Sequence, residues 1–507
     1  MPSGQQRRGQ GQRGQQERDT WDVVVLGGGP AGENAADYAV RGTDRTAVIV
    51  ESELVGGECS YWACMPSKAL LRSVQVAEVA RGLPGLAGRL SKRGLDVGAV
   101  LGRRDTFTSH LDDSGQVRWA NGAGIDVLRG TARLAGPRTV EVTDAEGSTR
   151  TVTAREAVVL ATGTRATVPD VPGLAEALPW TSRDVTNLHQ VPKRVVVLGG
   201  GVVACEAATW LLGLGVEELT LVERGDHLLG RAEPFAGELV REALEARGAR
   251  VLLGREVTRV TRESPRDKGI GHIAGGPVTV HLGRRGSVTA DEVVVATGRT
   301  PNTADLGLEA VGLADAVAGN RGYVPVDDRL QVQGVTGQWL YAVGDVNGRA
   351  LLTHMGKYQG RIAGAVIAAR ARGERAVGRE YRDVASARAV PSVTFTSPEV
   401  ASVGLTEAAA RDAGVDVETV EYDLAAVAGA SLLRDDYTGR AKLVVDRATD
   451  LLVGATFVGE GSAELLHSAT VAIVGKVTLA DLWHAVPSYP TVSEVWLRLL
   501  ETRRTAS

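Results

Sequence analysis

The chain has 507 residues, 43% of them apolar and 23% charged, with a net charge of −4. At about 150 residues per domain, three or four domains are expected, and a disordered, collagenous or disulfide-framework chain is excluded. The small net charge and the 4% aromatic content argue against a nucleic-acid binder, and no apolar run approaches the ~18 residues a membrane helix needs.

Residues 1–20, MPSGQQRRGQGQRGQQERDT, carry almost no apolar side chains. They cannot offset chain entropy by burial, so this tail is expected to be disordered. No apolar segment follows Arg7-Arg8, so export is not expected and a cytoplasmic location is. The three cysteines, Cys59, Cys64 and Cys205, agree with a reducing compartment.

WDVVVLG at 21–27 reads as a buried strand, and an Ala-rich helix follows GGGPAG. Gly27, Gly29 and Gly32 therefore form a GxGxxG between strand and helix. The first glycine makes the turn, the second lets a pyrophosphate approach, and the third allows close helix–strand packing. The next strand, TAVIVE, ends in Glu51, 24 residues after Gly27, where a carboxylate can hold a ribose diol.

GGECSYWACMPSKALLR comes next and places Cys59 and Cys64 five apart, before a helical run. Regular helix geometry separates such residues by roughly 7.5 Å along the axis and about 140° around it. A bond between them needs an irregular first turn, which the flanking glycines and Pro66 permit. Buried small hydrophobes and a structural disulfide are the bland alternatives. Zinc ligation is disfavoured, because the spacing is not C-x2-C and no second ligand pair appears, so no metal site is expected. A redox-active dithiol fits best, because a helix N-terminus favours the thiolate.

The strand AVVLATG ends at Gly163, and the fingerprint then recurs. RVVVLGGGVVACEAATWLL supplies Gly199, Gly201 and, in third place, Ala204; ELTLVE ends in Glu223, again 24 residues on. VVVATG closes this second unit at Gly298. A duplicated fingerprint implies two dinucleotides on one chain, a flavin and a nicotinamide. Glu223 favours a free ribose diol over a 2′-phosphate, so NAD(H) is preferred to NADP(H), although Arg224 follows it directly.

GGECSYWACMPSK resembles the GGxCxxxxCxPSK motif of the pyridine nucleotide–disulfide oxidoreductases, the family of dihydrolipoamide dehydrogenase, glutathione reductase and mercuric reductase. LYAVGDVNGRALLTHMG resembles that family's second flavin segment, with Gly344 and Asp345 at the ribityl chain. SVTFTSPEVASVGLTE and TGRAKLVVD resemble the opening of its dimerisation domain. The resemblance implies an α/β fold with two Rossmann-like dinucleotide-binding domains, for FAD and NAD(P), plus a C-terminal α+β dimerisation domain. It divides the chain into a first FAD-binding segment at 21–173, the NAD(P) domain at 174–298, a second FAD-binding segment at 299–380 and the dimerisation domain at 381–507. It also implies a homodimer, with Cys64 as the flavin-proximal sulfur, Cys59 as the exchange thiol and Lys68–Glu206 as an ion pair beside the flavin.

Disulfide-reducing members end with His-Pro-Thr-x-Ser-Glu, whereas this chain reads Tyr489-Pro490-Thr491-Val492-Ser493-Glu494. A phenol with a pKa near ~10 is a poor base at neutral pH, and imidazole near ~6.5 is well matched. Tyr489 and Glu494 are expected to act across the dimer interface, and His484 is a candidate substitute base. The tyrosine also resembles the soluble transhydrogenase and mercuric reductase branches. The first generally lacks the complete cysteine pair; the second needs a further C-terminal pair, and this chain ends LLETRRTAS. The expected activity is electron transfer from NAD(P)H through flavin and dithiol to a small-molecule acceptor, a disulfide or a quinone. An authentic dihydrolipoamide dehydrogenase and a non-enzymatic redox-sensing flavoprotein are the alternatives.

Overall fold

A computed structural model describes residues 18–86 and 94–506. The tail expectation for residues 1–17 lies outside the described residues, but Arg18–Thr20 depart from it. The first strand, Thr20–Leu26, starts one residue early. Asp19 accepts from the Thr153 amide at 2.8 Å and from Arg150 Nε at 2.7 Å, which ties the residues just before the strand to Thr149–Leu160.

Val23 to Leu26 are wholly buried, so this strand is a continuous apolar run covered on both faces. It lies at the centre of a parallel sheet, between Ala47–Glu51 and Thr149–Leu160, with Ile125–Arg129 outside Ala47–Glu51. Thr139–Thr143 and Thr131–Gly136 extend it antiparallel on the far side. Leu340–Ala342 returns from much later in the chain to pair in parallel with Val158–Leu160. The first unit is therefore split in sequence, as the resemblance implies.

Helices Pro30–Val40 and Thr353–Ala371 pack tightly together over this sheet. Gly356, Gly360 and Gly364 recur every four residues along the second helix and face the first. A Cβ on Gly360 would lie 2.4 Å from the Ala31 carbonyl oxygen, and one on Gly364 would lie 2.8 Å from that of Ala35.

The inserted unit has four parallel strands in the order Arg250–Leu252, Glu218–Val222, Arg194–Leu198, Glu292–Val295. A three-stranded antiparallel sheet (Arg259–Arg262, Val278–His281, Ser287–Ala290) covers one face through Val260, Val278 and Val280. On the other face, helix Val202–Gly213 packs with Leu70, Leu71 and Val74 of helix Cys64–Gly82. The chain enters and leaves this unit through two short antiparallel strands, Thr164–Ala166 and Arg299–Pro301.

The C-terminal unit is an antiparallel sheet in the order Ser392–Thr394, Val400–Gly404, Leu451–Val458, Arg440–Asp446, Val417–Asp423. Helices Ser462–Gly475 and Val495–Ala506 share its core through Leu465, Leu466, Val495 and Leu499. Two three-layer dinucleotide folds and a separate α+β unit make up the α/β architecture expected from the sequence.

Candidate active site

Each fingerprint is built the same way. Gly27 has φ +105° and Gly199 has φ +110°, left-handed conformations that favour glycine. A Cβ on either would collide with the strand leaving the sheet, 2.4 Å from the Ala161 oxygen and 2.5 Å from the Ala296 oxygen. The repeated Ala-Thr-Gly segments thus form the back walls of the two glycine turns. A Cβ on Gly32 would lie 2.1 Å from the Gly27 oxygen, which fixes the close approach of helix to strand. Gly29 and Gly201, by contrast, face open space at the first turns of their helices. That is where a phosphate can reach unpaired amides.

The acidic residues lie beside these loops. Glu51 accepts the Gly28 amide at 2.7 Å and the Glu53 amide at 2.8 Å. Glu223, one residue past its strand, accepts the Gly225 amide at 2.6 Å, and Arg224 points outward as an exposed residue. Gly163 and Gly298 turn the chain out of the two sheets with open space above them. Burial pushes the Asp345 carboxyl up, against a 2.7 Å hydrogen bond from Thr164 Oγ1 and the charge of Arg299. Open glycine loops, oriented carboxylates and the half-buried Asp345 fit an extended dinucleotide at each fingerprint.

The cysteines occupy the irregular turn that their spacing demands. Cys59 belongs to the short helix Gly57–Tyr61 and Cys64 opens helix Cys64–Gly82; between them Ala63 leaves helical geometry (φ −133°, ψ −94°). Both are thiols here, hydrogen-bonded to each other, with Cys64 Sγ 3.3 Å from Thr353 Oγ1. The bond from Cys59 draws the Cys64 thiol down to about 6 in spite of burial, with help from Thr353 and Lys68. The same bond, with burial, pushes the Cys59 thiol up. Cys205 is wholly buried, donates to the Gly200 oxygen at 3.4 Å and is pushed up by desolvation, so it packs.

Lys68 and Glu206 meet as expected, with Nζ 2.8 Å and 3.1 Å from the two carboxylate oxygens. Glu206 is 3% exposed and also accepts the Phe395 amide at 2.9 Å, while the Lys68 ammonium lies 4.8 Å from the Phe395 ring centre. A charge this buried is tolerable only because it is paired and hydrogen-bonded.

The terminal motif lies elsewhere. Tyr489 is 76% exposed and His484 is exposed, and among the described residues neither is hydrogen-bonded to the cysteine cluster. Glu494 is buried and paired with Arg498 four residues on. Thr353 was not legible as a site residue, because a threonine opening a helix reads as a cap. Its only signal is its place eight residues after Asp345. Lys357 was also missed, although its charge bears on Cys59.

Two dinucleotide folds enclosing a dithiol and a buried ion pair define a nucleotide-dependent redox protein of the dithiol type. Residues 21–371 match the family described as pyridine nucleotide-disulphide oxidoreductase, and residues 390–499 match its dimerisation domain. The chain belongs to the pyridine nucleotide-disulphide oxidoreductases. It is 32% identical to a dihydrolipoyl dehydrogenase of Thermus scotoductus over 486 residues, covering 94% of this chain and 95% of that one. Over 474 residues it is 30% identical to a mercuric reductase of Bacillus cereus, covering 94% of this chain and 70% of the relative. A glutathione reductase of Burkholderia cepacia is 31% identical over 483 residues, 95% of this chain and 99% of the relative. Among solved structures, LpdA of Mycobacterium tuberculosis is similar with a TM-score of 0.77 at 26% identity, covering 96% of this chain and 99% of that one. The flavoprotein disulfide reductase RclA of Escherichia coli shares the fold with a TM-score of 0.79 at 24% identity, over 95% and 99% of the two chains. The protein is accordingly an oxidoreductase of a family that uses FAD and a nicotinamide nucleotide, and its matched dimerisation domain supports a homodimer. Among the described residues no helix is long and apolar enough to cross a membrane.

Proposed function

We propose that this protein is a cytoplasmic NAD(P)H oxidoreductase, with NADH preferred, whose Cys59–Cys64 pair passes electrons to a small-molecule disulfide or quinone. The geometry of the pair carries this reading: Cys59 and Cys64 share one irregular turn, with Thr353 Oγ1 3.3 Å from Cys64 Sγ and the Lys68–Glu206 ion pair one helical turn on. FAD, when bound, supplies the two-electron relay between nicotinamide and dithiol. Gly27, Gly29, Gly32, Glu51, Gly163, Gly344 and Asp345 hold it, and Gly199, Gly201, Glu223 and Gly298 hold the nicotinamide nucleotide. Lys68, buttressed by Glu206, stabilises negative charge beside Cys64. The boundaries 21–173, 174–298, 299–380 and 381–507 belong to the same reading, and the paired strands at 164–166 and 299–301 support the split. Tyr489 and Glu494 complete the site from the partner protomer.

The preference for NADH rests on Glu223, whose carboxylate is aimed by the Gly225 amide and repels a 2′-phosphate. The dihydrolipoyl dehydrogenase relative keeps lipoamide reduction open as a second reading. The test is NADH oxidation with lipoamide and with a simple quinone in parallel, alongside anaerobic titration of wild type, Cys59→Ser and Cys64→Ser. Fewer electrons taken up by both variants are expected, and uptake equal to wild type would refute the redox-active pair. Glu223→Ala should narrow the NADH/NADPH ratio; an unchanged ratio would remove Glu223 from nucleotide choice.

A further inference from the structure

The segment between the two cysteines is held from outside its own unit. Helix Gly57–Tyr61 is too short to satisfy the carbonyls at its end, and the chain leaves helical geometry at Ala63. Donors for those carbonyls come from helix Ser182–Thr186 and the residue after it. Thr186 Oγ1 lies 2.9 Å from the Trp62 oxygen, with the Ser182 oxygen as its other acceptor at 3.0 Å. Asn187 Nδ2 donates to the Tyr61 oxygen at 3.3 Å. Arg183 lies over the Trp62 ring, 4.2 Å from its centre, and donates through Nε to Glu58, the residue before Cys59. Trp62 is buried beneath it.

The helix that supplies these groups is anchored at both ends. Trp180, two residues before it, pairs with Val294 of the inserted sheet: its amide donates to the Val293 oxygen at 2.9 Å, and its oxygen accepts the Val295 amide at 2.7 Å. At the other end the buried Arg104, from helix Val97–Phe107, donates to the Thr186 oxygen at 2.7 Å. A rigid part of the inserted unit therefore grips Glu58, Tyr61 and Trp62, on either side of Cys59 and on the way to Cys64.

We propose that helix Ser182–Thr186 sets the dithiol–disulfide equilibrium of the Cys59–Cys64 pair, with Arg183 and Thr186 as positioning residues that favour the closed bond. This rests on the dithiol reading above. Closing the bond joins the two sulfurs with loss of two electrons and two protons, and it confines the loop between them, which costs entropy. A loop already gripped from outside has less freedom left to lose, so each thiol meets the other at a higher effective concentration. The grip is needed because residues five apart in a regular helix point about 140° away from each other. The non-helical turn at Ala63 avoids that, and its flanking carbonyls find their donors on the inserted unit.

The experiment equilibrates the flavin-loaded enzyme in buffers of dithiothreitol, the electron donor, and its cyclic disulfide, the acceptor. After an acid quench, Cys59 and Cys64 thiols are counted by alkylation and peptide mass, which separates them from electrons held on the flavin. Thr186→Val and Arg183→Met should each shift the equilibrium toward the dithiol by roughly threefold, and together by roughly tenfold. A tenfold shift is about 30 mV on a two-electron scale. Arg299 lies 3.8 Å from the second Glu58 oxygen, so Arg183→Met does not leave that carboxylate without a cation. Thr186→Ser, which keeps the hydroxyl, should hold the wild-type midpoint, and Arg183→Lys, which keeps a cation beside Trp62, should recover part of the shift. A double variant with the wild-type midpoint overturns the proposal. So does one shifted toward the disulfide, because the grip would then be straining the closed bond. A wild-type enzyme whose Cys59 and Cys64 stay thiols in every buffer sinks the dithiol reading itself, whereas equal midpoints in enzymes that cycle sink only the role of the helix.

Discussion

Three neighbours draw the Cys64 thiol below the usual range at once: the Cys59 thiol, the Thr353 hydroxyl and the Lys68 ammonium. Each can be removed separately. Thr353→Val deletes one hydrogen bond to a charged acceptor, an interaction of about 1.5–3 kcal/mol, and should raise the Cys64 pKa from about 6 by about one pH unit or more. The pH dependence of thiolate absorbance in the reduced enzyme checks this, and an unmoved midpoint would show that the hydroxyl does not matter. The cysteines, Lys68 and Glu206 were legible in the sequence because their chemistry is rare in this chain: three cysteines and seven lysines leave few candidates. Thr353 was not, because threonine at a helix start is ordinary there. Only the packing of segments about 300 residues apart gives it a second meaning.

Three glycines four apart inside helix Thr353–Ala371 each cost helix stability, roughly 1 kcal/mol relative to alanine. The return is contact. At Gly360 a Cβ would also lie 3.0 Å from the Ala35 nitrogen, so the two helices touch backbone to backbone. Gly360→Val should force them apart at a cost of about 1–3 kcal/mol or more, and the displacement falls on Ala31 and the first fingerprint. Loss of flavin absorbance on gel filtration, with the nicotinamide unit still folded by circular dichroism, is the expected outcome; full flavin retention would show that the crossing tolerates bulk. The strand, turn and helix of each fingerprint were legible because they are contiguous and their glycines answer to local geometry. The glycine stripe is legible only as three unexplained helix-breaking residues until its partner helix is known. The register at the second acidic residue was off by one for a related reason: Glu223 turns out of the strand to hold the Gly225 amide.

Across the whole molecule, the buried Lys442 ties the inserted unit to the C-terminal unit. Lys442 Nζ lies 3.0 Å from Glu233 and 2.7 Å from Glu407, and Glu233 also accepts the Glu407 amide at 2.7 Å. Lys442→Met leaves the Glu233 charge buried without its partner, a loss of about 3–5 kcal/mol. A lowered calorimetric transition is expected, with partial recovery in the Lys442→Met/Glu233→Gln double variant; no recovery would mean that the cost is one of packing. The strands Thr164–Ala166 and Arg299–Pro301 lie side by side, with the Thr167 and Thr300 hydroxyls 2.7 Å apart. By connectivity alone the insert resembles a graft whose stump could be closed with a short splice. The cysteine helix forbids that surgery: Leu70, Leu71 and Val74 pack into the core of the insert, and a Cβ on Gly213 would lie 2.4 Å from a Val74 methyl. Loosening the nicotinamide unit, by heat or by mutation, therefore reaches the cysteines directly, and a damaged insert takes the redox centre with it.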